Sequence, residues 1–204
     1  MGKLEYGKAS DNNFNKSIGT RIGILPFVNS SLEIGLSAMF GKVGERENSE
    51  FEDVGSQLYS LDLTYVKNLD FLRSVVDIKA QGSWVNIDNA VYVSPEDPDE
   101  IFEFENKSTT YFGQLSLRPA FIDVKVIENM EFATRYSKLT TPEGAPWETD
   151  ENRWDFSLNY WLDWRTVLKV TYQKQSGGGE GHDEDVVPET GSRDSFFVHW
   201  AIGF

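Results

Sequence analysis

From Phe196 to Phe204 every second residue is bulky and apolar: Phe196, Val198, Trp200, Ile202 and Phe204. A period of two with one wholly apolar face predicts a β-strand whose outer side meets an apolar medium. The same alternation runs back along the chain. Over Arg165 to Lys174, Thr166, Leu168, Val170 and Tyr172 share one face, against Arg165, Val167, Lys169, Thr171 and Gln173 on the other. Over Arg153 to Trp161 the outward set is Trp154, Phe156, Leu158 and Tyr160, and the inward set Arg153, Asp155, Ser157 and Asn159. Further strands are predicted at Met130 to Ser137, Tyr111 to Pro119, Val75 to Val85, Leu58 to Val66, Ser31 to Gly41 and Arg21 to Pro26. That makes nine, with Leu4 to Ala9 as the candidate for a tenth.

The connections alternate between tight turns and long acidic segments, the arrangement of membrane β-barrels, which have short turns at one end and longer loops at the other. The long segments, about 45–55, 88–108, 141–151 and 176–192, hold 21 of the chain's 33 acidic residues but only Arg46 and Lys107 as bases. Aromatic residues sit near strand ends, among them Tyr59, Trp84, Tyr111, Tyr136, Trp154 and Tyr172, where girdles at a membrane–water boundary are expected. A soluble β-sandwich would use the same rings as core. No apolar run approaches the ~20 residues of a membrane helix, so any spanning role falls to strands. The first expectation is therefore an all-β, antiparallel transmembrane barrel, a single domain over residues 1–204 in which 1–19 adds a strand and a loop.

Composition narrows the chemistry. With no cysteine, disulfides and Cys-ligated metal sites are excluded. A net charge of −14 argues against nucleic acid, whose phosphates need clustered Lys and Arg. Residues 1–8 have no apolar leader core, so a signal peptide was removed or the sequence starts internally. The Gly177–Gly181 run has no Lys-Ser/Thr and precedes no helix, so it does not make a phosphate loop. Asp97–Glu100 and His182–Asp185 lack the spacing of a calcium loop. The two histidines, His182 and His199, have no triad neighbours, and no Gly-x-Ser-x-Gly elbow occurs, so no enzyme and no cofactor are expected.

Several segments carry a family likeness: Gln114–Pro119, Glu128–Tyr136 and above all Leu158–Tyr172, with its Asn-Tyr-Trp, short turn and Arg-Thr-Val-Leu-Lys. Together with the closing strand they resemble the C-terminal half of the phosphate-selective porin O and P family. The resemblance implies an integral protein of the bacterial outer membrane, a trimeric assembly, a sixteen-stranded barrel of which this chain supplies nine or ten strands, and passage of small anions or other hydrophilic solutes. It implies contact with outer-membrane lipid and lipopolysaccharide, and recognition of the Phe196–Phe204 strand by the barrel-assembly machinery. The inward bases Arg21, Lys79, Arg118, Arg135, Arg153, Arg165 and Lys169 are the candidate pore-lining, anion-interacting residues, against Glu33, Asp62, Asp77, Glu131 and Asp155. Cross-strand bridges, such as Glu131 to an arginine of the next strand or Asp155 to Lys169, would make the same charges purely structural. A small barrel plugged by Phe112, Trp161 and Phe197 is the remaining alternative.

Overall fold

A computed structural model describes residues 4–5, 15–27, 31–44, 53–93, 99–178 and 192–203. In chain order its strands are β1 (Leu4–Glu5), β2 (Ile18–Ile24), β3 (Leu32–Lys42), β4 (Gly55–Leu69), β5 (Ser74–Ile87), β6 (Val91–Val93), β7 (Ile101–Glu103), β8 (Lys107–Arg118), β9 (Met130–Thr140), β10 (Asp150–Trp161), β11 (Thr166–Gly178) and β12 (Arg193–Ile202). Helix is confined to a 3-10 turn, Asp70–Leu72, and to α1 (Lys125–Glu128).

Nine strands form one antiparallel sheet in the order β12-β11-β10-β9-β8-β5-β4-β3-β2. Each strand pairs with its neighbour in sequence, apart from β6 and β7, which lie within the connection from β5 to β8. The register keeps the sequence alternation in phase across the whole sheet. One row runs Leu36, Leu61, Gly82 and Tyr111, and another runs Leu158, Val170 and Val198. Phe196, Val198, Trp200 and Ile202 continue the apolar face opposite Tyr172, Val170, Leu168 and Thr166, whereas Phe204 lies outside the described residues.

Exposure is inverted relative to a water-soluble sheet. On the apolar face Phe156 is 48% and Trp200 68% exposed, whereas on the polar face Ser116 is 6% and Asn159 7% exposed. In a soluble fold the apolar face would be the buried one.

The sheet is open among the described residues: β2 and β12 each pair on one side only. Closure into a barrel is therefore not part of the observed architecture. The expected tenth strand also takes another place. Leu4 and Glu5 pair parallel with Tyr92 and Val93 in a separate three-stranded sheet, β1-β6-β7, and the rest of the predicted strand, residues 6–9, lies outside the described residues.

The ends of the sheet differ in character. At the turn end lie the connections 25–31, 70–73, 119–129 and 162–165; at the loop end lie the others. Among the connections described throughout, 70–73 and 162–165 are four residues each and 119–129 is longer, because it holds α1. The turn end carries exposed Phe27, Phe71, Phe121 and Trp164. The 162–165 turn is held by the Asp163 carboxylate, which accepts hydrogen bonds from the backbone N–H of Arg165 (2.7 Å) and Thr166 (2.8 Å).

Those two donors hold the Asp163 carboxyl below its ordinary range, against a smaller opposing effect of desolvation. Because the folded value is depressed, the stabilisation is complete above the unfolded value of about 3.9 and disappears as pH falls through the folded one. Asp163→Ala is expected to unfold at lower temperature than wild type at neutral pH, and the gap between the two melting curves should narrow only below about pH 4.

Candidate functional site

The polar face of the nine-stranded sheet gathers the charged residues. By register, seven bases share it: Arg21, Lys79, Arg118, Arg135, Arg153, Lys169 and Arg193. Six acids face them: Glu33, Asp62, Asp77, Glu131, Glu151 and Asp155. Arg165 is not among them. It sits in the Asp163 turn with its guanidinium 4.1 Å over the Trp164 ring, because strand pairing begins only at Thr166.

A cavity of about 500 Å³ opens on this face and is lined from five adjacent strands, β5, β8, β9, β10 and β11. Lys79, Arg135 and Lys169 reach it, together with Asp77, Glu131 and Asp155. So wide a concavity along one face means that the sheet curves around its polar side. The buried Asp77 Oδ1 and Trp161 Nε1 have no hydrogen-bond partner among the described residues, and both side chains line this cavity.

The bases differ in how they are held. Arg21 Nη2 bonds to Glu33 (3.0 Å) and to Asp62 (2.7 Å), so a β2 side chain crosses β3 to reach β4. Gly35, directly opposite Asp62, makes the crossing possible, since a Cβ there would overlap both the carboxylate and the guanidinium. Lys79 pairs with Asp77 (3.0 Å) and Arg153 with Asp155 (3.3 Å), each two residues away on its own strand. Arg135 stacks 3.8 Å over Phe112 and bonds to Ser137 Oγ; Arg118 lies 5.7 Å over Trp161. Lys169 has no ion-pair partner among the described residues.

The two bridges anticipated from sequence are replaced. Glu131 accepts a hydrogen bond from Asn159 Nδ2 (2.9 Å), its partner in register. Asp155 stands opposite Gln173 and Lys169 opposite Asn159, so the two are four residues out of register, roughly 13 Å along a strand. Hydroxyls and amides fill the spaces between the charges. Ser60 and Ser83 bond to each other (2.9 Å) and both accept from Gln81, while Ser157 bonds to Asn159 and Thr171. His199 stacks on Phe197 on the same face. Among the described residues no group of three His, Asp or Glu side chains could hold a metal ion.

A second feature was not anticipated. The connection read as a plain acidic loop contains β6 and β7, and with two other connections it builds a small core at the loop end. Val54, Ala90 and Tyr92 are buried there, with Phe104 stacked 4.8 Å on Tyr92 and Trp147 edge-on to both rings. Asn106 Nδ2 donates to the Tyr92 hydroxyl at 2.8 Å, while burial pushes that hydroxyl's pKa up. The apolar alternation of Ala90 with Tyr92 and of Phe102 with Phe104 was the available signal. Asn106→Ala leaves a buried hydroxyl unpartnered and is expected to cost about 1–3 kcal/mol locally. Faster protease cleavage within 88–106, with the nine-stranded sheet intact by circular dichroism, is the readout.

The fold and the charged face together define an all-β antiparallel meander with a polar concave side and an apolar convex side. No protein-family model, curated protein or solved structure matches the chain.

Proposed function

We propose that the nine-stranded sheet forms part of the wall of a water-filled β-barrel in a bacterial outer membrane, through which small hydrophilic solutes diffuse with a mild preference for anions. The single observation that carries this reading is the inverted exposure: serine and asparagine are buried while phenylalanine and tryptophan are exposed. Such a surface is unfavourable in water and favourable against acyl chains, where each apolar side chain is retained outside and each polar one borders an aqueous space. The backbone ladder satisfies its own N–H and C=O groups, as the hydrocarbon region demands. A soluble sandwich would need a second layer over the apolar face.

The likeness of Leu158–Tyr172 to the porin O and P family points the same way, and with it come outer-membrane lipid, lipopolysaccharide and a trimer as partners. The outward Phe196, Val198, Trp200 and Ile202 would serve as the insertion signal. Arg21, Lys79, Arg118, Arg135, Arg153 and Lys169 would border the aqueous path, and Arg165 would lie at its turn-end rim.

Purified protein reconstituted into planar bilayers is expected to give discrete conductance steps with reversal potentials on the anion side. Absence of steps from protein that has inserted would leave a wall filled by its own side chains, a reading favoured by the inward Phe112 and Trp161 rings beneath arginines. Recovery from cells in detergent-free buffer as a dispersed monomer would end the membrane reading altogether.

A further inference from the structure

Strand register accounts for the shape of the 500 Å³ cavity on the polar face. Ser116, Ala133, Ser157 and Thr171 stand side by side across β8, β9, β10 and β11, a row of short side chains. The next row toward the loop end holds Gln114, Arg135 and Asp155, and the next toward the turn end holds Glu131, Asn159 and Lys169, all longer. The cavity is thus a trough with a floor of small residues between two rims, about 13 Å apart along the strands.

Its charges balance, with Lys79, Arg135 and Lys169 against Asp77, Glu131 and Asp155. Most of these groups are already engaged. Lys79 pairs with Asp77, Asp155 pairs with Arg153, and Arg135 lies over the Phe112 ring and bonds to Ser137. Glu131 and Lys169 remain, both without an ion-pair partner among the described residues. They share the turn-end rim and flank the same residue, Asn159, so their Cα atoms are two strand spacings apart, about 10 Å. Asn159 is fixed between them: its Nδ2 donates to Glu131 Oε1, and its Oδ1 accepts from Ser157 Oγ at 2.9 Å. One carboxylate oxygen of Glu131 is therefore held in place and the other faces no partner among the described residues.

A carboxylate and an ammonium group, both unpaired and on one rim, match a solute that carries both charges. A simple anion drawn to Lys169 lies beside Glu131 and is repelled by it, and a simple cation drawn to Glu131 meets Lys169. A neutral polyol gains little over the hydrogen bonds it already makes with water. A zwitterion gains a charge-assisted hydrogen bond at each end.

We propose that the trough is a binding station for zwitterionic solutes of the α-amino-acid class, with Glu131 taking the ammonium group and Lys169 the carboxylate. The inference rests on the pore reading above and singles out one class among the solutes that diffuse through it. Binding at such a station is weak, because a solute on a diffusion path has to leave again.

The test is block of the potassium chloride current through purified, bilayer-inserted protein by four solutes of similar size. Serine carries both charges, glycerate only the carboxylate, serinol only the ammonium group, and glycerol neither. Serine is expected to block saturably, at a concentration about tenfold below that needed for any of the other three. Glu131→Gln and Lys169→Gln should each erase that advantage, and the paired exchange Glu131→Lys with Lys169→Glu should restore part of it, since the two charges are only reversed. Where a variant does not insert, the comparison of the four solutes on the wild-type protein decides alone. Glycerate or serinol blocking as well as serine would reduce the trough to a site for one charge, and glycerol blocking as well would make it a polyol site. Either result, or the absence of any saturable block, overturns the proposal while the conductance steps leave the pore reading standing. Absence of the steps themselves removes the pore reading and the station with it.

Discussion

Leu61→Arg is expected to destabilise the protein by about 2–4 kcal/mol in lipid vesicles, although Leu61 is already exposed. Leu61 lies midway along β4 between Leu36 and Gly82, on the apolar face. In water, arginine at an exposed leucine position would change stability by no more than about 0.5 kcal/mol. Against acyl chains the guanidinium must be desolvated or must drag water inward. Thr64→Arg, on the opposite face between Glu33 and Lys79, keeps its charge in the aqueous space and should cost much less. Denaturant titration of vesicle-inserted protein, followed by tryptophan emission, measures both. Equal effects of the two substitutions would mean that the apolar face does not touch lipid.

Lys169→Glu is expected to reverse the sign of the ion preference. Seven bases against six acids leave the polar face at +1, and one lysine-to-glutamate exchange removes two charges, giving −1. In a narrow aqueous path the prevailing sign of the wall sets which ion is concentrated. Lys169 is the informative position because it lines the cavity without an ion-pair partner among the described residues, so its exchange leaves no carboxylate stranded. Reversal potentials under a salt gradient should move from the anion side to the cation side, while Lys169→Arg stays with wild type. An unchanged potential in the glutamate variant would reduce the charged face to scaffold.

Most of the large sheet was legible in the sequence, because a period of two survives wherever one face meets an apolar surroundings and the other a polar one. The strands nevertheless run further than the apolar pattern suggests: β4 spans Gly55–Leu69 rather than Leu58 to Val66, and β11 continues to Gly178. Backbone pairing persists at strand ends after the side chains turn polar. Which charges meet was not legible. Strand membership of Asp155 and Lys169 is readable, but their offset of four positions depends on how β10 and β11 slide past each other, which the turn at Asp163 decides. The reach of Arg21 over Gly35 to Asp62 depends likewise on two registers at once. The loop-end core was hidden for another reason. Tyr92 and Phe104 come from one connection and Trp147 from another, and their acidic neighbours dominate any local average of polarity.

That ring cluster joins three connections that otherwise have no reason to agree in length. Val54 arrives from the link between β3 and β4, Tyr92 and Phe104 from that between β5 and β8, and Trp147 from that between β9 and β10. Insertions or deletions within 99–106 or 142–149 must therefore be compensated at the stacked rings. An epitope tag or a grafted loop placed there would disturb two distant stretches of chain along with its own.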